Sequence, residues 1–296
     1  MVVVNKPKNI TSHDVVDKVR VLFNTRKVGH FGTLDPLAEG LLLVGVGKAT
    51  KFFDFYMKKR KVYSGIVKFG YATTTYDSEG VPVSERKEID LNKVDIAPVL
   101  AGFTGKIQQI PPLYSAKKVK GKPLYKYARE QKKVEIKPVN IEIYSLQGKI
   151  LDRDRLWFEA ATSSGTYIRS LAHDIGRVLG VGAFLEGLKR LEIGEFSLRD
   201  AVTLEDLAEK VAAGKIAEVV TPIEGLLPEF SKIIVSPSGR KAVLNGMPLE
   251  VKDIVKILST APGELFRLFD DEGKLLSISR KDDKLMRFNP FIVFPD

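Results

Sequence analysis

The chain has 296 residues, enough for two domains, and 44% hydrophobic with 28% charged residues is the composition of a globular protein. No apolar run approaches the ~18–20 residues of a membrane span, and the start "MVVVNKPKNI" lacks the basic region, long apolar stretch and small-residue cleavage site of a signal peptide. Zero cysteines exclude disulfide and thiolate chemistry, and three dispersed histidines (His13, His30, His173) argue against a zinc site, so the expectation is a cytoplasmic protein without a membrane anchor.

In chain order, "MVVVNKP" reads as a short strand ended by Pro7. Thr11 and Asp14 have cap spacing, and Val15, Val16, Val19, Leu22 and Phe23 recur at helical intervals behind them. "LLLVGVG" (41–47) predicts a buried strand, "KATKFFDFYMK" a helix, and the alternating "KVYSGIVKFGY" (61–71) a second strand. Residues 72–90 are polar and turn-rich, and 106–137 has the composition of an exposed insertion. "RLWFEAAT" (155–162) resumes strand character. The helix that follows places Ile168, Leu171, Ala172, Ile175, Val178 and Leu179 on one face and stops at Gly180. "TLEDLAEKVAAG" (203–214) is a further capped helix. A boundary falls near 221–231, and the last 66 residues predict a small, separate β-rich domain, with an Asp-Glu-Gly turn between two strand-like runs.

The net charge of +10 is concentrated. Residues 106–137 hold nine lysines and Arg129 against Glu130 and Glu135, a net +8. A lysine run is most simply a solvated face. Here Tyr114, Tyr125 and Tyr127 interleave with the charges, the combination that tracks phosphates and stacks on bases, so nucleic-acid contact is the favoured reading.

Two phosphate-binding patterns fail on inspection. "GVGKAT" (45–50) has Leu42 and Ala49 where a P-loop needs Gly and Ser or Thr, and Thr50 where a dinucleotide fingerprint needs its third glycine. The informative stretch is "HFGTLDPLAEG" (30–40), with Asp35 as its lone acid. A helix cap, a turn former and a nucleophile on a stiff loop are all compatible with it. Pro36 disfavours helix at Asp35, while Gly32 and Gly40 permit close approach by another segment. In "GTYIR" (165–169), Tyr167 and Arg169 flank apolar Ile168, and an arginine fork is the natural partner of a buried carboxylate.

Taken together, "KPKNITSHDVVDKVR", "GHFGTLDPLAEGLLLVGVGKATK", "KVY", "PPLYSAKKVKGKPLYKYARE" and "GTYIRSL" resemble, in order over most of residues 3–200, the signature segments of the TruB family of tRNA pseudouridine synthases. The resemblance implies an α/β (α+β) pseudouridine synthase fold with a mixed, largely antiparallel sheet flanked by helices. It implies a catalytic domain at 1–228 with a basic RNA-binding insertion at about 104–138, and a PUA-like RNA-binding domain at 229–296. The implied reaction converts uridine 55 in the T-loop of tRNA to pseudouridine on a flipped-out base, without metal or cofactor. Asp35 matches the catalytic aspartate, acting on the base or as a base on the sugar. Arg169 matches its arginine partner, Tyr167 a tyrosine near the reacting base, and Tyr63 the tyrosine that stacks on the uracil. Leu188 matches an apolar wall of the pocket, and His30 a histidine that fills the vacated RNA stack. Lys117, Lys118, Lys120 and Lys122 are the implied phosphate contacts. The implied partner is the T-arm stem-loop of tRNA, with no obligatory protein partner and a monomeric enzyme. Arg169 is expected to hold Asp35 ionised against the effect of burial. Phe31 departs from the small or hydroxylated residue usual at that position, and its ring is expected either to stack on RNA or to pack. Two rivals are a non-catalytic RNA-binding protein on the same scaffold and a guide-RNA-dependent relative.

Overall fold

The computed structural model describes residues 1–132, 134–258 and 263–295. The expected insertion and C-terminal domain therefore include positions (133, 259–262 and 296) outside the described residues.

The opening valines form β1 (Val2–Lys6), and Thr11 starts α1 (Ser12–Leu22). The cap is reciprocal: the Thr11 hydroxyl accepts from the Asp14 N–H at 3.1 Å, and the Asp14 carboxylate accepts from the Thr11 N–H at 2.7 Å. β2 (Val28–His30) and β3 (Glu39–Val46) bracket the loop that carries Asp35. A 3-10 segment leads into α2 (Phe53–Lys58) and then the tyrosine strand β4 (Lys61–Phe69). α3 (Ile96–Ala101) and β5 (Gly105–Gln109) precede the basic segment, which folds as the short hairpin β6 (Lys118–Val119) and β7 (Lys122–Pro123) followed by α4 (Leu124–Arg129). The chain returns through β8 (Val139–Ile150), β9 (Arg155–Thr162), α5 (Ile168–Val178), β10 (Ala183–Ile193), β11 (Phe196–Ser197) and α6 (Leu204–Ala212). The C-terminal part adds β12 (Ser231–Val235), α7 (Pro237–Leu244), β13 (Leu249–Glu250), β14 (Ile254–Ile257), β15 (Leu265–Phe269), β16 (Leu275–Asp282) and β17 (Arg287–Val293).

The main sheet runs β1-β3-β10-β4-β9-β8-β5, with β2 on β3 and β11 on β10, and is antiparallel except where β10 lies parallel to β3. It is the mixed, largely antiparallel sheet expected. That parallel junction positions the site, because it sets the start of β3 beside the middle of β10: Glu39 pairs with Lys189 and Gly40 with Arg190. Gly40 has φ +102°, and a Cβ there would sit 2.4 Å from the Arg190 carbonyl oxygen, so the close approach requires glycine.

α5 packs Ile168, Leu171, Ala172 and Ile175 on the sheet against Val67, Leu156, Phe158 and Leu185. Val178, expected on that face, is 61% exposed, because at 100° per residue it falls at the edge of the stripe whose centre is held by Ile175 and Leu179. Residues 105–109, expected within the exposed insertion, instead form the edge strand β5, paired with β8 and burying Gln109. The expected separation of the C-terminal part is also incomplete. Phe269, Leu275, Ile278 and Phe294 from its six-stranded sheet share one apolar core with Phe31, Phe52 and Tyr56, and the Phe52 and Phe294 rings stack at 5.1 Å. Phe31 belongs to this core: it is buried and stacked on Tyr56 at 5.8 Å, so it packs and does not face RNA.

Candidate active site

Several segments meet in a pocket of about 320 Å³, the basic segment among them through Ser115, Ala116 and Lys117. The loop 31–38 contributes Asp35, β4 contributes Lys61 and Tyr63, β10 contributes Leu188 and Arg190, and the start of α5 contributes Tyr167 and Arg169. The sheet explains the grouping. Tyr63 pairs directly with Arg190 across β4 and β10, and Leu188 lies two residues from Arg190, so all three share one face. Gly165, at φ +82°, turns the chain from β9 so that α5 begins beside them. A larger apolar groove of about 510 Å³ between α1 and α6 has none of these groups.

Arg169 organises the charges. Its Nε meets Asp35 Oδ2 at 2.9 Å and its Nη2 donates to Asp35 Oδ1 at 3.2 Å, a two-pronged pair. Nη1 lies 3.4 Å from Asp77 Oδ2 and donates to the Thr75 carbonyl at 3.2 Å, and Nη2 also donates to the Tyr114 carbonyl at 2.9 Å. One buried guanidinium thus joins α5 to the aspartate loop, the 75–77 turn and the basic segment. The Tyr167 backbone is held as firmly: the Gln109 side chain accepts from its N–H at 2.8 Å and donates to its carbonyl at 3.0 Å.

Asp35 departs from the sequence expectation. Burial pushes its carboxyl above the ordinary range; Arg169 works against that, Asp77 adds to it, and Lys6 works against it. Its side chain is 37% exposed, but that surface opens into the pocket, where protein walls replace most of the water, so desolvation outweighs the arginine. Arg190 is buried with its Nε on the Leu41 carbonyl (2.8 Å) and Nη2 on the Gly32 carbonyl (2.9 Å), which pins both ends of the aspartate loop. Burial lowers Lys61 to about 8, and its ammonium caps the end of α2 through the carbonyls of Tyr56, Met57 and Lys59. Burial raises the Tyr167 hydroxyl. Among the described residues no group of three or more His, Asp or Glu side chains could hold a metal ion.

Sequence comparison places this geometry in a family. The family model for TruB family pseudouridylate synthases (N-terminal domain) matches residues 20–168, and that for the tRNA pseudouridylate synthase B C-terminal domain matches 169–228. The chain belongs to the TruB family. It is a pseudouridine synthase, an isomerase. Relatives named tRNA pseudouridine synthase B include one from Solibacter usitatus, 42% identical over 83% of this chain and 84% of the relative, and one from Clostridium kluyveri, 39% identical over 95% and 94%. A solved structure described as a Cbf5-Nop10-Gar1 complex aligns with 99% of this chain and 85% of its own at 25% identity and TM-score 0.75. An H/ACA RNP bound to a substrate RNA containing 2'-deoxyuridine aligns with 100% and 85% at 24% identity and TM-score 0.74, a likeness of fold.

Within this TruB fold, the pocket gathers Asp35, Tyr63, Lys117, Tyr167, Arg169 and Leu188. The other sequence candidates lie outside its lining. His30 sits on β2 with a buried Nδ1 that has no hydrogen-bond partner among the described residues. Lys118 and Lys120 are exposed on the β6–β7 hairpin, and Lys122 is paired with Glu130 and lies 5.0 Å from the Tyr127 ring centre. Asp77, Arg190, Lys61 and Gln109 were not found from sequence. Asp77 sits in a polar, turn-rich stretch that reads as loop, and Arg190 and Lys61 sit in strands where a cation reads as solvent-facing. Only the long contacts to carbonyls and to Arg169 give these residues a role.

Proposed function

We propose that this enzyme isomerises uridine 55 in the T-loop of tRNA to pseudouridine, with Asp35 as the catalytic carboxylate acting on a flipped-out base. The observation that carries the reading is the forked Asp35–Arg169 pair inside an enclosed pocket walled by Tyr63, Tyr167 and Leu188. The reaction breaks the bond between the ribose and N1, joins the ribose to carbon 5, removes the proton from carbon 5 and leaves one on N1. It requires one carboxylate that can be ionised, a surface on which the detached base can turn, and exclusion of water. Arg169 favours the charged form of Asp35 against burial and fixes its direction. Tyr63 offers its ring to one face of the uracil and Leu188 closes the pocket. Burial keeps the Tyr167 hydroxyl protonated, so a proton it takes from carbon 5 must be matched by one it gives up.

A base inside a folded loop must be swung out at a cost of about a few kcal/mol. Phosphate contacts from Lys117, Lys118 and Lys120 on the basic segment offset that cost, with His30 beside the vacated stack. We further propose that residues 1–228 form the catalytic domain, with a basic insertion spanning roughly 110–138, and that the PUA-like part at 229–296 binds tRNA, the enzyme acting alone and without a membrane. The first test is Asp35→Asn with a T-arm stem-loop carrying uridine tritiated at carbon 5. The expected result is retained RNA binding with tritium release abolished; full turnover by the variant overturns the mechanism. Absence of product from the wild-type protein with bare stem-loop overturns stand-alone action on tRNA and favours a guide-dependent enzyme.

A further inference from the structure

Arg169 and His173 are four residues apart on α5 and share a face of it. Arg169 takes the carboxylate of Asp77, and His173 takes the ring of the preceding residue, Tyr76: the two rings stack with centres 3.9 Å apart and planes 12° from parallel. The 73–79 turn is therefore fastened to one helix face at two adjacent points. Its backbone is unusual between them. Tyr76 has φ +64°, a conformation in which glycine is inexpensive and a bulky side chain is not. Keeping tyrosine there implies that the ring has a task that glycine would not perform.

The turn has other fastenings, and none acts on the Tyr76 side chain. The Leu185 N–H donates to the Tyr76 carbonyl at 3.0 Å, and the Ser78 N–H donates to the Leu185 carbonyl at 3.0 Å. The Thr73 hydroxyl donates to the Asp77 carbonyl at 2.7 Å, and the Glu79 N–H donates to Asp77 Oδ1 at 3.1 Å. These fix the path of the chain on β10. The stack and the Arg169 contacts to Thr75 and Asp77 tie the turn to the helix. Among the described residues the buried His173 Nδ1 has no hydrogen-bond partner, and the ring lies stacked on Tyr76. Burial lowers His173 below its ordinary range, which keeps the ring neutral near pH 7.

We propose that His173 is a positioning residue for the isomerase reaction: its stack on Tyr76 holds that residue at positive φ and thereby keeps Asp77 aimed at Arg169, which in turn fixes the fork on Asp35. The inference rests on the catalytic reading of Asp35 and Arg169 given above. If Tyr76 loses its ring partner, its positive φ is no longer compensated, and the turn, held then by its hydrogen bonds to β10 and by those of Thr73, Thr75 and Glu79 to Asp77, aims the Asp77 carboxylate less firmly at the guanidinium. Arg169 then has one fixed carboxylate in place of two, and its orientation toward Asp35 loosens. The pocket walls are untouched, because neither His173 nor Tyr76 lines the pocket.

The test compares His173→Ala, His173→Phe and Tyr76→Ala by single-turnover tritium release at saturating T-arm stem-loop, RNA affinity and thermal unfolding. His173→Ala is expected to slow single turnover about tenfold, the worth of one aromatic contact, with RNA affinity within about twofold of wild type. His173→Phe retains a ring and is expected to turn over at close to the wild-type rate. Tyr76→Ala keeps a side chain at positive φ and removes the ring, so it should match His173→Ala, and the double variant should be no slower than either single one. Should His173→Ala fail to fold, His173→Phe and Tyr76→Ala decide. Wild-type turnover in His173→Ala, a slow His173→Phe, or equal loss of rate and affinity overturns the proposal. A wild-type enzyme that yields no product removes the catalytic reading as well, whereas active wild type with an unaffected His173→Ala removes only this inference.

Discussion

Replacing Arg169 by methionine probes the arrangement on which the active-site reading depends. The substitution keeps most of the stem and removes a guanidinium that contacts Asp35 at 2.9 Å and Asp77 at 3.4 Å. At an effective dielectric of about 20, a charge pair about 4 Å apart is worth about 4 kcal/mol before desolvation is counted. The Asp35 half is discounted because that side chain is partly open to the pocket; the Asp77 half is not, because Asp77 is 3% exposed and is left as a buried carboxylate without this ion-pair partner. The carbonyls of Thr75 and Tyr114 lose a donor as well. Breaking a buried pair from one side costs about 3 kcal/mol net, which lowers the unfolding midpoint by about 6–12 °C. The catalytic consequence has a definite direction. Arg169 is the largest influence holding Asp35 down, so its loss raises that carboxyl further and depletes the ionised form. Turnover at pH 7 should fall by about 100-fold or more, and the acid limb of the rate profile should move to higher pH. The assays are tritium release from carbon 5 across pH 4–9 and calorimetry at the same pH values. An Arg169→Met enzyme with an unmoved acid limb and wild-type stability would refute the reasoning.

Three further outcomes follow from the same geometry. Asp35 is raised in the folded protein, so wild-type activity should fade, as pH drops, above the ordinary aspartate range; by the same linkage its ionisation penalises folding at neutral pH, and the penalty disappears as the carboxyl protonates, which Asp35→Asn should abolish in stability measured against pH. Lys118→Ala or Lys120→Ala should each flatten the log-affinity versus log-salt slope for tRNA by about 1, while Lys122→Ala, already paired with Glu130, should change it less; a slope unchanged from wild type in all three would place the RNA elsewhere. Phe294→Ala should cost about 3–5 kcal/mol in denaturant unfolding, because its ring fills the core shared by both sheets; a loss below about 1 kcal/mol would mean the two sheets do not depend on each other.

Local chemistry was legible wherever it depends on a few consecutive residues. The Thr11 cap, the helical periods of α1 and α6 and the alternation of β4 need only propensity and periodicity, and the structure has each of them. Val178 failed because a residue at the margin of an apolar stripe has the same spacing as one inside it, and residues 105–109 failed because a lysine-containing edge strand and an exposed loop share a composition. Arg190 and Lys61 failed for a related reason: a cation that caps backbone carbonyls inside a core leaves no pattern along the chain.

The amino-acid order by itself determined the glycine- and proline-bearing loop around Asp35, the arginine suited to partner it, and the basic, tyrosine-bearing segment, because residue type and spacing set what a side chain can do. The tertiary structure alone decided which groups act on that carboxylate. Arg169 reaches across 134 positions to Asp35, 94 to Thr75 and 55 to Tyr114, and those meetings come from strand order and the parallel β3–β10 junction. It also decided the direction of Asp35's ionisation, since the cost of a charge depends on how much water the surrounding walls displace, a quantity that no run of neighbouring residues encodes.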